Sequence, residues 1–339
     1  MAVIRVDDIA HVRFSAPDLA AMRGFLDDFG IIPFESGGRL YGKGRDGRPF
    51  LHVTQPGPAK FLAVGLRARS LADLETLAAS EGVAVEPLDA PGGGHVVRLT
   101  DPDGHGVEIV AGQAVDPPAL SPPAVLHNDA DSKQRLRAVV ALAPGPAHVC
   151  RIGHAVLKVR DFRTSEAWYK QRFGFLTSDE VEAAPDVPLG AFMRCDRGDL
   201  PADHHTLFLA QLPGPIGLLH AAFEVASLDD LMLGHQHLKA RQREAAWGVG
   251  RHIMGSQVFD YWKDPFGNEL EHWTDGDLFT AADPPRRMPM QALLAVQWGA
   301  PHPMFAGKRP PSPGLVAFVF SLFLRLKRLF SRQTKGMSA

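Results

Sequence analysis

Hydrophobic and polar positions along the chain recur in short blocks of two kinds. Strand-like runs at Gly153–Val159 and Gly217–Val225 each lead into a stretch with the apolar spacing of a helix. Ser227, like Ser70 in the first half, stands where a helix N-cap is expected. Further short strand-like runs, bounded by glycines, follow each helix. The pattern predicts four βαβββ units, two in each half of the chain.

The two halves also repeat one another in sequence. The segment Ile9–Val12 (IAHV) matches Ile152–Ala155 (IGHA), and an aspartate follows seven residues after each histidine. Asp101–Gly104 (DPDG) matches Asp264–Gly267 (DPFG), and a glutamate follows seven residues after the first residue of each. The second copy is longer, and we expect its additional residues mainly in loops such as 182–204.

This repeat divides the chain into four predicted segments. They are an N-terminal domain at 1–113, a linker at 114–147, a C-terminal domain at 148–280 and an extension at 281–339. The linker begins rich in proline and lacks sustained alternation, which favours an irregular connection with a short helix. The predicted fold class is α+β, with two tandem domains of two βαβββ units each and a C-terminal helical tail.

Composition narrows the classes of function. The 36 basic and 38 acidic residues give a formal net charge of −2, which excludes the strongly basic surface of a nucleic-acid-binding protein. The two cysteines cannot form a disulfide framework and fit a reducing compartment. The first residues show no basic region followed by an apolar run, so we expect no signal peptide and a cytoplasmic location. Fifteen histidines are a rich supply for metal or acid–base chemistry.

The βαβββ units, the strand histidine of each half and the DPxGxxxE ending resemble the vicinal oxygen chelate superfamily. The resemblance is closest to its two-domain type I extradiol ring-cleaving dioxygenases, and it covers roughly residues 5–280. It implies a glyoxalase/bleomycin-resistance/dioxygenase-like fold, in which paired units curl into an open cup of strands around a metal ion. It also implies a reaction in which a catechol and O2 are the substrates and the ring opens next to the diol.

The resemblance assigns the metal ligands. The two His and one Glu of the family correspond to His154, His220 and Glu271, which all lie in predicted strands. Such a facial triad suits Fe(II) and leaves open positions for substrates, so Fe(II) is the expected cofactor and Mn(II) the alternative. Glu269 has the same strand parity as Glu271, but the repeat alignment with Glu108 favours Glu271.

The N-terminal half lacks one of these ligands. It retains His11 and Glu108, but Ala63 stands where the second half has His220. Alanine cannot bind a metal ion, so we expect one site per chain, in the C-terminal domain.

The resemblance also assigns acid–base residues. His205 corresponds to the histidine on the O2 side of the metal, where it would accept a catechol proton and later donate one. His204 is the alternative, because strand parity is not defined at a loop edge. His252 would hydrogen-bond the substrate oxygen, and Tyr261 would help to hold the ring.

The substrate-binding residues of the cavity wall are predicted from their positions near these histidines. Phe192 is expected to pack on the ring, and Arg251 is the one anion-binding side chain that the sequence suggests. Met193, Phe259 and Trp262 are further candidates for the wall, although each is more commonly a core residue.

Three other functions are compatible with parts of this sequence pattern. A glyoxalase-type enzyme of the same superfamily would need another protein ligand and no counterpart of His205, His252 and Tyr261. A 4-hydroxyphenylpyruvate dioxygenase-type enzyme would need a 2-oxo acid site, for which no motif is evident. A non-catalytic ligand-binding protein is the third alternative.

The extension ends in an apolar and then basic stretch at 315–330 (LVAFVFSLFLRLKRLF). Its apolar run is too short to span a membrane. The stretch is predicted to be a helix that docks on an anionic membrane surface, or one that packs on the protein or on a sister subunit of a homo-oligomer.

Overall fold

The computed structural model describes residues 2–119 and 126–303. The N-terminal half has two helices, α1 (Leu19–Phe29) and α2 (Leu71–Glu81). Its strands are β1 (Val6–Ala16), β2 (Ile32–Ser36), β3 (Arg39–Lys43), β4 (His52–Pro56), β5 (Lys60–Ala68), β6 (Glu86–Pro87), β7 (His95–Thr100) and β8 (Gly106–Ala111).

The C-terminal half has three helices, α3 (Phe162–Phe173), α4 (Leu228–Ala240) and α5 (Met290–Leu294). Its first strands are β9 (Val149–Lys158), β10 (Leu176–Ala184), β11 (Val187–Arg194), β12 (Ala202–Asp203), β13 (Leu207–Ala210) and β14 (Gly217–Val225). The remaining strands are β15 (Glu244–His252), β16 (Val258–Lys263), β17 (Glu269–Thr274), β18 (Leu278–Phe279), β19 (Arg286–Pro289) and β20 (Val296–Gly299).

The two large sheets have the same strand topology. The N-terminal order is β2-β3-β4-β1-β5-β8-β7-β6, and the C-terminal order β10-β11-β13-β9-β14-β17-β16-β15 repeats it unit by unit. In both sheets the first strands of the paired units, β1 with β5 and β9 with β14, are antiparallel neighbours at the centre. The α+β architecture with tandem βαβββ units is therefore confirmed.

The extension completes the C-terminal sheet at both edges. β19 pairs with β10 at one edge, and β20 pairs with β15 at the other. The short helix α5 lies between these two strands in the chain, so the segment that contains it connects the two edges of the sheet.

The DPxG motifs explain how each half places its last long strand. The Asp264 carboxylate accepts hydrogen bonds from the backbone N–H groups of Phe266 and Asn268, at 2.8 and 2.9 Å. Gly267 has a φ of +85°, which glycine adopts without strain. The turn therefore sets the start of β17, and with it the position of Glu271 two residues into that strand.

The N-caps form as the sequence predicts. The Ser70 hydroxyl accepts a hydrogen bond from the Asp73 N–H at the start of α2, and the Ser227 hydroxyl does the same for Asp230 in α4. Residues 114–119 and 126–147 contain no helix, so the short helix expected there is not found in the described part of the connection.

Side chains at the end of α1 join the two halves. His272 in β17 donates a hydrogen bond from Nε2 to the Phe29 carbonyl at 2.7 Å, and the two rings stack at 3.8 Å. Asp28 accepts hydrogen bonds from Arg241 and Arg243, which follow α4. These contacts hold the N-terminal half against the back of the sheet that carries Glu271.

Within the described residues, every helix is too short or too polar to cross a bilayer. The predicted docking helix at 315–330 lies outside the described residues.

Candidate metal centre and active site

Three neighbouring strands of the C-terminal sheet, β9, β14 and β17, bring His154, His220 and Glu271 together. Ala222 in β14 lies opposite both His154 and Glu271, so these two side chains project from one face of the sheet. His220, two residues before Ala222, projects from that face as well. Nε2 of each histidine lies 3.2 Å from Oε2 of Glu271, and the three ligand atoms lie within 4.8 Å of one another.

The chemistry of this cluster fits a divalent metal ion. Glu271 is completely buried, and its Oε1 has no hydrogen-bond partner among the described residues. Burial favours its neutral form, but hydrogen bonds from His154 and His220 outweigh burial and hold the pKa of the carboxyl well below its usual value. Burial lowers the pKa of His154, which favours the neutral imidazole that a metal requires. Two imidazoles and a carboxylate on one face are a 2-His-1-carboxylate donor set. Glu269 lies outside this cluster.

The equivalent place in the N-terminal half holds an arginine. Gly65 lies opposite both His11 and Glu108, as Ala222 lies opposite the two ligands in the other half. The Arg13 guanidinium donates to Glu108 Oε2 at 2.9 Å, and His11 Nε2 lies 2.7 Å from the same oxygen. Ala63 pairs with Arg13 across the strands and offers no ligand. Arg13 therefore supplies positive charge to the buried Glu108, together with Arg98, whose Nε lies 3.5 Å from Oε1.

The Arg13→Met substitution is expected to destabilise the fold without changing the metal content. Glu108 would lose two hydrogen bonds while it remains buried, which costs about 1–3 kcal/mol of unfolding free energy. Urea unfolding measures this loss. Arg23→Met removes an exposed ion pair with Glu35 and should cost less than about 1 kcal/mol. A gain of a second metal ion in the Arg13→Met variant, or no loss of stability, would contradict this role for Arg13.

His205 lies beside the metal cluster. Its ring centroid is 3.9 Å from that of His154, and the Phe192 ring meets it edge-on at 4.8 Å. Burial lowers the pKa of His205 well below its usual value, and the neighbouring histidines add to this effect. A neutral imidazole at this position has one nitrogen free to accept a proton.

His204 does not line the cavity. Its Nε2 lies 2.8 Å from Oδ2 of Asp179, and its Nδ1 lies 3.1 Å from Nδ1 of His205. The two adjacent histidines therefore point in different directions. His205 faces the cavity, and His204 lies behind the ring of His205.

His252 and Tyr261 lie on the other side of the cluster. Tyr261 is directly opposite Glu271 in the β16–β17 pairing, which places both side chains on the same face. His252 Nε2 lies 3.1 Å from the Tyr261 hydroxyl and 3.8 Å from Glu271 Oε1. Burial raises the pKa of Tyr261 well above its usual value, so the phenol keeps its proton and acts as a hydrogen-bond donor.

A cavity of about 870 Å³ opens above these residues. His154, His220, His205, His252 and Tyr261 form its polar end. Most of the remaining wall is apolar and comes from Val156, Phe192, Phe208, Leu212, Leu219, Trp247, Met254, Met290, Ala292 and Leu293. Phe192 stacks on Phe208 at 4.1 Å, which gives the cavity a flat aromatic wall.

Several residues that the sequence suggests for the wall lie elsewhere. Arg251 donates to the Ser256 carbonyl and to Asp275, both at 2.7 Å, and the structure does not bring it to the cavity. Met193, Phe259 and Trp262 are buried and do not line the cavity either. Phe259 instead stacks on the His252 ring at 4.1 Å and supports it from behind.

Of the apolar wall, sequence reasoning identified only Phe192, and two of the parts that it missed are instructive. Trp247 stacks near Tyr261 and lies in β15 with His252, so an aromatic residue in the strand of a candidate histidine was an available signal. Met290 and Leu293 of α5, together with His302, lie beyond the repeat, and no second copy indicates their position.

The tandem βαβββ fold and the His–His–Glu cluster define the class of protein. It has two large sheets of the same topology and, within the described residues, one candidate metal centre. Residues 151–272 match the family described as Glyoxalase/Bleomycin resistance protein/Dioxygenase superfamily. The matched part of the chain contains all three residues of the cluster.

Two relatives match a longer part of the chain. Metapyrocatechase 2 from Cupriavidus necator is 27% identical over 282 residues, covering 81% of this chain and 83% of the relative. Biphenyl-2,3-diol 1,2-dioxygenase from Paraburkholderia xenovorans is 28% identical over 286 residues, covering 79% and 87%. The similarity therefore includes both halves of the chain.

Solved structures show the same fold. The Mn(II)-bound glyoxalase from Novosphingobium aromaticivorans has a TM-score of 0.71 at 24% identity, covering 91% of this chain and 95% of that one. An extradiol ring-cleaving dioxygenase from B. fuscum has a TM-score of 0.68 at 19% identity, covering 85% and 77%. At these identities the likeness is one of fold alone.

Proposed function

We propose that this protein is an Fe(II)-dependent extradiol dioxygenase that opens the ring of a substituted catechol next to the diol. The observation that carries the proposal is that the metal cluster, His205 and the His252–Tyr261 pair all lie at one and the same cavity. The names of the relatives metapyrocatechase 2 and biphenyl-2,3-diol 1,2-dioxygenase support the same reaction class.

His154, His220 and Glu271 would hold the ion, with Mn(II) as the alternative to Fe(II). A relative from Rhodococcus jostii named as an iron-dependent extradiol dioxygenase supports iron. When bound, the ion supplies Lewis-acid and redox chemistry to the two substrates. Because Glu271 is fully buried and both histidines line the cavity, ligands would reach the ion from the cavity.

The surrounding side chains manage protons and orientation. His205 accepts a proton from a catechol hydroxyl and returns it later in the reaction, because one nitrogen of its neutral ring is free. Tyr261 donates a hydrogen bond to a substrate oxygen, and His252 holds the tyrosine hydroxyl in place at 3.1 Å. Phe192 and Phe208 form an apolar wall along which an aromatic ring packs and water is excluded.

The size of the cavity favours a catechol with an apolar substituent. Ligand pockets range from about 300 to 1,000 Å³, and about 870 Å³ lies near the upper end of that range. A bare catechol ring would leave much of the apolar wall uncovered, whereas a bulky substituent would bury it.

Oxygen uptake tests this function. After anaerobic loading with Fe(II), the protein is expected to consume one O2 per catechol and to form the yellow ring-opened product. A panel of catechols with increasing apolar substituents should show kcat/KM rising with the size of the substituent. Absence of O2 uptake across the panel, with Fe(II) or Mn(II) bound, would contradict the proposal and favour a glyoxalase-type isomerase or a binding protein.

The tail is expected to act separately from the active site. Deletion of residues 309–339 should leave metal content and catechol turnover nearly unchanged. The full-length chain should bind anionic vesicles in a sedimentation assay, more weakly as salt rises, because screening weakens the attraction of its Lys and Arg charges. The truncated chain should not bind. If truncation unfolds the protein or breaks an oligomer while vesicles never bind the full-length form, the tail is a packing segment instead.

A further inference from the structure

A chain of hydrogen bonds runs from the protein surface to His205. Arg286 in β19 donates to both oxygens of Asp179 in β10, at 2.8 and 2.9 Å. Oδ2 of Asp179 lies 2.8 Å from Nε2 of His204, and Nδ1 of His204 lies 3.1 Å from Nδ1 of His205. Asp179 and His204 are completely buried, whereas Arg286 is about half exposed.

The direction of each hydrogen bond follows from the chemistry of the groups. Burial favours protonation of Asp179, but the hydrogen bonds from His204 and Arg286 outweigh it and lower the pKa of the carboxyl, so the carboxylate accepts both bonds. His204 Nε2 therefore carries a hydrogen. In the neutral imidazole, Nδ1 of His204 is then an acceptor.

The same reasoning applies to the ring of His205. With a neutral His204, whose Nδ1 accepts, His205 donates from its own Nδ1. A neutral His205 protonated at Nδ1 has its lone pair on Nε2. Among the described residues, no protein group hydrogen-bonds Nε2 of His205, and the ring lines the cavity.

We propose that Asp179 and His204 are positioning residues that hold His205 in the tautomer whose Nε2 is free to accept the substrate proton. The inference rests on the proposed function, in which His205 is the acid–base residue. The arrangement resembles in logic the buried carboxylate that selects the tautomer of a catalytic histidine in serine proteases. Here an additional imidazole lies between the carboxylate and the reacting ring.

The packing around His204 supports this role. A Cβ on Gly255 would approach His204 Nδ1 to 2.8 Å, so this glycine lets the backbone lie directly against the ring. The rings of Phe192 and Phe279 lie 5.1 and 5.3 Å from that of His204. The imidazole has little room to rotate, and its two nitrogens keep their separate partners.

Arg286 and His204 share the carboxylate of Asp179. A doubly protonated His204 would donate to His205 and reverse the polarity of that bond. Arg286 pairs with both oxygens of Asp179, and His204 contacts one of them, so a single buried carboxylate serves both groups. The proposal takes His204 in its neutral form, with Nδ1 as the acceptor.

Nitrogen NMR tests the tautomer directly. The full chain, labelled with 15N-histidine, is recorded with and without Zn(II) as a diamagnetic substitute for iron, and the signals lost in His205→Phe identify the ring. The expected pattern has a protonated Nδ1 and an unprotonated Nε2. A protonated Nε2 on a neutral His205 in the wild-type chain would overturn the proposal, whether or not the protein turns over catechols.

A pair of variants tests the functional consequence. His204→Asn places an amide oxygen close to the position of Nδ1 and keeps an acceptor for His205, whereas His204→Phe removes the acceptor and keeps an aromatic ring. His204→Phe should lower kcat by about 10- to 100-fold with KM and metal content little changed, the range for losing a partner that orients an active-site histidine. His204→Asn should retain most of kcat.

The outcomes separate this proposal from the proposed function. Equal kcat values for the two variants, or a loss confined to KM, would contradict a positioning role for His204 while leaving ring cleavage in place. A wild-type protein without turnover would contradict the proposed function, and the NMR pattern would still decide the tautomer. If neither His204 variant folds, the wild-type NMR pattern alone supports or overturns the proposal.

Discussion

Replacement of His220 by alanine is expected to abolish both metal binding and turnover. His220 is one of two imidazoles within 3.2 Å of Glu271 Oε2, and its loss leaves a donor set of one histidine and one carboxylate. The N-terminal half already shows this state, because Ala63 occupies the equivalent position. The iron content measured after anaerobic Fe(II) loading should fall from one ion per chain to near zero.

His95→Ala is a suitable control for the removal of a histidine. His95 lies in β7 of the N-terminal sheet and does not line the cavity. This variant should keep one iron per chain and full turnover. Two irons per wild-type chain, or a His220→Ala variant that still binds iron stoichiometrically, would contradict the account of a single site.

Replacement of His205 by phenylalanine is expected to leave the metal bound but to reduce kcat by about 10²–10⁴-fold, the usual contribution of general acid–base catalysis. Phenylalanine preserves the aromatic contacts with His154 and Phe192 but has no nitrogen to exchange protons. Steady-state O2 uptake measures the loss, and metal analysis shows that the site is intact.

The adjacent histidine provides the comparison for this variant. If His205→Phe keeps full activity and His204→Phe loses it, the acid–base role belongs to His204. If both variants remain fully active, neither histidine transfers a proton in the reaction.

Much of the fold was predictable because the same sequence pattern occurs in both halves of the chain. The IGHA and DPFG motifs recur at matching places in both halves, and each motif forms the same structure in both: a central strand and an aspartate-centred turn. The N-caps at Ser70 and Ser227 were evident because a hydroxyl before an apolar helical stretch has one common use.

The ligands of the metal cluster were predicted from the family resemblance, and two sequence features agree with that prediction. Strand parity and the difference between His220 and Ala63 are properties of the sequence, and the sheet register of β9, β14 and β17 brings the three side chains to one face. Their assignment as ligands remains a prediction that the His220→Ala experiment tests.

Other features depend on contacts that no local pattern reports. The direction of His204 and His205 is decided by Asp179 and by the close approach of Gly255. Arg251 donates hydrogen bonds to the carbonyl of Ser256 and the carboxylate of Asp275, and it does not line the cavity. Partners that are distant in sequence or lie in irregular loops decide each of these orientations.

The two edge strands of the extension have a consequence for how the chain folds during synthesis. β19 and β20 lie later in the chain than all the strands they pair with. Until residues 286–299 have left the ribosome, β10 and β15 present unpaired backbone groups, and the apolar wall under α5 is open to water. Exposed edges of this kind pair readily with other chains. During this interval, after the catalytic residues have been made, the two edges of the C-terminal sheet are open to pairing with other chains.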